Sequence, residues 1–252
     1  MAQRYGTHVT GGGTPPQSQL PTVVAIPGTL CSPCVFRRLG ACLAGRARLE
    51  TVSWMTEPGP WDLPSIADRI ADRVARESIG PVLALGHSTG GAIAMRLAIA
   101  HPDAVLGLVL VNTGAHMRGH GDVDRFLARL ADNSDANLFE ALLARLFATP
   151  AEPADVAELR AYAAAARPDV AFEALRSQRE LDLTPELAAL RCPATVIHGR
   201  LDPVRGADQA KELAASIPGA SLRLLETGHT PVYEAPQAVA AELLAVLERA
   251  RG

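Results

Sequence analysis

The chain has 252 residues, 48% of them hydrophobic and 20% charged, with a formal net charge of −3. That size accommodates one α/β domain with a substantial core, and the charge balance gives no electrostatic case for nucleic acid or an anionic membrane. No apolar run is long enough to span a bilayer and no signal-peptide pattern opens the sequence, so the expectation is a cytoplasmic protein.

Residues 1–21, with Gly11-Gly12-Gly13-Thr14-Pro15-Pro16 and few apolar side chains, read as a flexible leader. Thr22 to Ile26 is a β-branched run stopped by Pro27-Gly28, hence a strand and a turn. Pro33 to Ala44 has helical spacing, and Leu49 to Trp54 reads as a second strand. From Leu63 to Ile79 the apolar residues Ile66, Ile70 and Val74 recur at helical intervals, predicting an amphipathic helix. Pro81 to Leu85 and Val105 to Val111 are near-continuous apolar strands, with the helix former Ala92 to Ala100 between them.

Strand signals then lapse. Residues 115–185 carry helical stretches at Val123 to Ala131, Ala136 to Ala148, Ala154 to Ala166 and Val170 to Glu180. Thr195 to His198 and Leu222 to Leu225 resume the strand pattern around the helix Ala207 to Ile217, and Ala235 to Ala250 forms a long final helix. Strands alternating with helices imply a mostly parallel, doubly wound sheet with helices on both faces. The middle block is too long for a loop in a compact domain and is expected to be an inserted helical cap, residues 115–185, within a core formed by 22–114 and 186–252.

The most informative stretch is Gly86-His87-Ser88-Thr89-Gly90, at the junction of the apolar run Val82 to Leu85 and the helix beginning near Ala92. The pentapeptide alone is a weak signal; its position between strand and helix carries the weight. A serine on a sharp strand-to-helix turn needs neighbours without bulk, and the helix N-terminus aims free N–H groups at any oxyanion formed beside it. A serine hydroxyl also needs a base for its proton and a third group to orient that base. Asp202 in His198-Gly199-Arg200-Leu201-Asp202-Pro203-Val204 and His229 in Gly228-His229-Thr230-Pro231 each follow an apolar strand. In a parallel sheet the C-terminal strand ends share one edge, where Ser88, Asp202 and His229 would meet. Taken singly, Asp202 is an ordinary turn residue before proline and His229 an ordinary loop histidine.

On these residues the chain resembles a small α/β-hydrolase across residues 22–250. The order Ser, Asp, His is that family's order. Asp182-Leu183-Thr184-Pro185 through Cys192-Pro193 to Asp202 is similar to its acid region, and Gly228-His229 with Glu234-Ala235-Pro236 to its histidine region. The resemblance implies a Ser88–His229–Asp202 triad and an oxyanion hole built from the N–H groups of Thr89 and Thr29, with Leu30 the alternative to Thr29. Family members usually carry His-Gly where this chain has Pro27-Gly28, which leaves the backbone donor in place. Asn112 stands where some members carry their acid, but an amide is a poor partner for imidazolium.

Leu30, His87, Trp54 and Thr230 are the candidate pocket residues, with Trp54 and Trp61 equally well read as loop anchors. His116, Arg118 and His120 lack ligand spacing and read as solvated loop residues. Cys31-Ser32-Pro33-Cys34 has redox spacing, but its setting favours plain reduced cysteines, and no zinc pairing is present. The implied function is a cofactor-free, metal-free serine hydrolase acting on a carboxylic ester or thioester of a small or medium molecule, as a monomer or homodimer. Rival readings on the same fold are a lyase, cyclase or acyltransferase, or a sensor that binds without turnover.

Overall fold

The computed structural model describes residues 20–118, 123–132 and 138–252. The expected leader therefore lies outside the described residues, save for Leu20 and Pro21. Six strands form one sheet: β1 (Thr22–Ile26), β2 (Arg48–Thr51), β3 (Val82–His87), β4 (Val105–Val111), β5 (Ala194–Gly199) and β6 (Ser221–Leu225). Their order is β2-β1-β3-β4-β5-β6, and every neighbouring pair is parallel.

The two-residue period of the strands divides their apolar side chains between two layers. Val24, Ile26, Ala84, Leu108, Leu110 and Val196 face one side. There they pack with α2 (Leu63–Arg76), α3 (Thr89–Ala100) and α9 (Ala207–Ser216). Val23, Ala25, Leu85, Val109, Val111 and Ile197 face the other side, against α1 (Arg37–Leu43) and α11 (Pro236–Arg251). Burial on both faces is why these strands read as unbroken apolar runs.

Helix α2 illustrates how local chemistry sets the boundaries. The Asp62 carboxylate accepts from the Ser65 N–H at 3.0 Å, capping the first turn, and Leu63, Ile66, Ile70 and Val74 form the buried stripe. The helix stops at Arg76, short of the expected Ile79, because Ser78 (φ 51°) and Gly80 (φ 78°) take left-handed conformations. Strand β2 ends at Thr51, before Trp54, whose indole turns inward and donates from Nε1 to the Pro27 carbonyl at 3.0 Å.

Between β4 and β5 the described chain forms α4 (Val123–Asp132), α5 (Leu138–Leu143), α6 (Pro153–Ala165), α7 (Pro168–Glu180) and the short α8 (Thr184–Leu187). α5 is shorter than the expected Ala136 to Ala148 helix, whose first two residues lie outside the described residues. The remaining short helix, α10 (Pro231–Glu234), follows β6. Among the described residues no helix is long and apolar enough to cross a membrane.

Candidate active site

From β1 the chain adds β2 on one side and β3 to β6 on the other, and the crevice beyond the carboxyl ends of strands at such a switch point is where open α/β sheets bind ligands. Ser88 sits there, between β3 and α3, with φ 55° and ψ −122°, a strained backbone for a non-glycine residue. The glycines around it make this turn sterically feasible. A Cβ on Gly90 would lie 2.0 Å from the Ile26 carbonyl oxygen, and one on Gly28 would lie 2.9 Å from the Ser88 Cβ.

The loops after β5 and β6 bring the other two residues to Ser88. His229 Nε2 lies 3.1 Å from Ser88 Oγ, and its Nδ1 lies 2.9 Å from Asp202 Oδ2. With Nδ1–H donating to the carboxylate, Nε2 is left as acceptor for the serine hydroxyl. The side chains of His229 and Asp202 are 4% and 0% exposed, so the hydrogen bond between them is shielded from bulk water. Burial raises the affinity of Asp202 for a proton. Hydrogen bonds and charge from His229, the Val204 N–H at 2.7 Å and the Asn112 amide at 2.7 Å outweigh it and hold the carboxyl at about 2.

Asn112 does more than its sequence position suggests. Its φ of 47° lies in the left-handed region that asparagine tolerates. From there Nδ2 donates to Asp202 Oδ2 and to the Gly228 carbonyl at 3.2 Å, while Oδ1 accepts from the Gly199 N–H at 3.1 Å. One amide thus ties the loop bearing the acid to the loop bearing the histidine. Glu234 adds a second tie: Oε2 accepts from the Gly228 N–H, and Oε1 accepts from the Ala148 N–H, both at 2.8 Å. Neither role was readable from the sequence. The nearest signal was Glu234 lying five residues after His229.

His87, the residue before the serine, is 1% exposed and its Nε2–H donates to the His229 carbonyl at 2.8 Å. Burial, with the neighbouring His229 adding to it, pushes its pKa down to about 3, so the ring is neutral at physiological pH. The two imidazole centroids are 5.2 Å apart. A neutral His87 leaves no competing cation beside His229.

Thr29 and Thr89 face each other across the crevice with their hydroxyls 2.9 Å apart. Thr89 is the first residue of α3, where a backbone N–H has no partner within the helix. The alternative donor, Leu30, gives its N–H to Met55 Sδ at 3.0 Å. Thr29, unlike Leu30, lines the cavity over Ser88.

A cavity of about 350 Å³ opens over Ser88, lined by Gly28, Thr29, His87, Thr89 and His229 at its floor. Met117, Val123, Phe126, Leu138, Leu146 and Leu175, from the segment between β4 and β5, supply the apolar part of its wall. Of the four pocket candidates His87 lines this cavity, whereas Leu30, Trp54 and Thr230 do not. Leu30, at φ 57°, turns into the core beside Trp54, and the indole is fully buried as the anchor of its loop. Thr230 is fully buried where the backbone curls into α10, its carbonyl accepting from the Tyr233 N–H. Trp61 likewise anchors its own loop, donating from Nε1 to the Glu57 carbonyl at 3.0 Å.

His116 is not the solvated residue expected. Its side chain is 10% exposed, with Nε2 near Glu212 and Nδ1 accepting from the Arg118 N–H. Arg118 pairs with Asp182, and His120 lies outside the described residues. Cys31 and Cys34 are free thiols, both pushed up by burial, and Cys31 lines the cavity. Among the described residues no group of three or more His, Cys, Asp or Glu side chains is placed to hold a metal ion.

A model of the alpha/beta hydrolase family matches residues 23–242, and the chain belongs to that family. It is 32% identical over 248 residues to the polyketide synthase ThaQ of Burkholderia thailandensis, covering 90% of this chain but only 12% of that much longer protein. It is 28% identical over 240 residues to a pimeloyl-[acyl-carrier protein] methyl ester esterase of Chromobacterium violaceum, covering 90% of this chain and 89% of the esterase. Among solved structures, an enol-lactonase from Burkholderia xenovorans superposes with a TM-score of 0.79 at 20% identity, covering 91% of this chain and 92% of that one. A hydrolase from Pseudomonas aeruginosa gives 0.77 at 24% identity, with 91% and 90% covered. These structures share the fold.

Proposed function

We propose that the protein is a serine hydrolase that cleaves a carboxylic ester or thioester through an acyl-enzyme on Ser88. The observation that carries this reading is the continuous hydrogen-bonded line from Ser88 Oγ through His229 to Asp202, at 3.1 and 2.9 Å. Ester-cleaving enzymes among the relatives support it, as do acyl-carrier-protein and polyketide names for an acyl substrate.

In the first half-reaction Ser88 Oγ attacks the carbonyl carbon as its proton passes to His229 Nε2. Asp202, ionised throughout the working range, stabilises the imidazolium and fixes its orientation. The N–H groups of Thr89 and Thr29 receive the oxyanion, each worth about 3 kcal/mol of transition-state stabilisation. The tetrahedral adduct collapses, the carbon–oxygen or carbon–sulfur bond breaks, and His229 hands its proton to the departing group. Water, deprotonated by His229, then attacks the acyl-enzyme, releasing the acid and restoring the serine hydroxyl. The insertion acts as a cap, its apolar wall covering the acyl chain. No cofactor enters these steps.

The test is hydrolysis of short p-nitrophenyl esters by wild type and by Ser88→Ala, with fluorophosphonate labelling alongside. The expected result is loss of labelling and a fall in kcat of about 10⁴-fold or more in the variant. A folded wild type that neither labels nor turns over would overturn the reading. It would shift the assignment to elimination, cyclisation or binding without turnover.

A further inference from the structure

Four arginines line the cavity over Ser88. Arg125, Arg129, Arg145 and Arg205 all contribute to the wall, and among the described lining residues there is no aspartate or glutamate. Arg205 differs from the other three in being 5% exposed. A guanidinium so buried is strongly disfavoured unless an anion or a full set of acceptors compensates it.

The protein does not supply that compensation. Both hydrogen bonds of Arg205 leave from Nη1, to the His116 carbonyl at 3.3 Å and to Gln209 Oε1 at 2.9 Å. Among the described residues Nε and Nη2 have no hydrogen-bond acceptor, and no carboxylate lies within ion-pairing distance. The charge acting on Arg205 is that of Asp202, whose oxygens are taken by His229, Asn112 and the Val204 N–H. Burial lowers the proton affinity of Arg205 to about 10, which leaves it cationic at neutral pH.

The seat is shaped for this group. A Cβ on Gly114 would lie 2.4 Å from Nη1, so a larger residue there would displace the guanidinium. A purely structural arginine would use the edge of its fork on the protein. Here Nη1 is tethered and the other donors are left over, beside a cavity shared with Ser88 and His229.

We propose that Arg205 is an anion seat, and that the physiological substrate carries a carboxylate or phosphate that pairs with it while the scissile carbonyl meets Ser88. This deepens the hydrolase reading and rests on it for the position of the carbonyl. Arg205 fixes the register of such a substrate against the nucleophile.

The experiment compares p-nitrophenyl half-esters of dicarboxylic acids, in a series of chain lengths, with p-nitrophenyl esters of the same length that lack the acid. In wild type the acid-tailed ester is preferred at one length by at least about tenfold in kcat/KM, the discrimination a charge-assisted hydrogen bond supports. Arg205→Met removes that preference, and Arg205→Lys retains part of it. The readout is the ratio, so a uniform loss of activity in Arg205→Met, with the ratio intact, overturns the proposal. Gly114→Ala, which keeps the charge but displaces it, lowers the ratio as well.

Binding is read apart from turnover by thermal stabilisation of Ser88→Ala with glutarate, adipate or inorganic phosphate. Stabilisation that disappears on adding Arg205→Met supports the seat even if the ester chemistry fails. Whether the dicarboxylates or phosphate act more strongly identifies the anion. No stabilisation by any of the three, with no tail preference in wild type, overturns the proposal whatever the fate of the serine hydrolase reading.

Discussion

Replacing His87 by glutamine exposes how its burial links stability to pH. His87 titrates at about 3 in the folded protein, against about 6.5 in an unfolded chain. Between those values the unfolded state holds the extra proton, so stability falls as pH falls through that window. From pH 7 to about pH 4.5 the unfolded chain gains about three quarters of a proton at this site and the folded one almost none. Integration gives about 2.5 kcal/mol of lost stability, or about 5–10 °C in Tm for a domain of this size. Glutamine offers an N–H in place of the Nε2–H that reaches the His229 carbonyl, but it does not titrate. Urea unfolding at both pH values should therefore show wild type losing about 2.5 kcal/mol more than His87→Gln. His198, also buried and also lowered, contributes equally to both proteins and cancels in the comparison. Equal losses in the two proteins would refute the assignment of a neutral His87 wedged beside His229.

Asn112→Ala removes three hydrogen bonds at once and places alanine at φ 47°; urea unfolding should show a loss of about 3 kcal/mol or more, and a loss below about 1 kcal/mol would contradict the bridging role. Gly90→Ala drives a Cβ to 2.0 Å from the Ile26 carbonyl, where backbone stands on both sides. It should yield no folded, soluble protein in a circular dichroism and gel-filtration comparison. Glu234→Ala strips the acceptors from the N–H groups of Gly228 and Ala148; thermal unfolding should report about 2 kcal/mol of destabilisation, with kcat falling more than KM rises because the loop holding His229 loosens.

The sheet was legible because its physics is local. Strands such as Val105 to Val111 are apolar on both faces, and the helices between them carry a stripe at the right period. Ser88, Asp202 and His229 were legible through a different property: each follows a strand, and parallel strands deliver their ends to one edge. What escaped was everything that depends on which loops become neighbours. Asn112 looks like a failed acid until the Gly199 and Gly228 loops are seen on either side of it. Trp54 reads equally as lining or anchor until the Pro27 carbonyl is found at its indole nitrogen. Leu30 and Thr29 compete as donors in the sequence, and only Met55, 25 residues away, separates them. Arg205 passes unnoticed in a segment whose aspartate draws the eye, because a buried charge is a property of packing alone.

The site is assembled from two stretches of chain with different duties. In the proposed mechanism the nucleophile and its oxyanion donors follow β1 and β3, whereas the proton-handling pair follows β5 and β6. Ser88 and His229 are 141 positions apart. At ribosomal rates of about 5–20 residues per second, about 7–30 s pass between the synthesis of the serine and that of its base. Throughout that interval the nascent chain carries an alcohol no more reactive than any other serine. On the proposed mechanism, activation of Ser88 waits for the docking of the last loop, so a chain truncated before His229 would carry no activated serine.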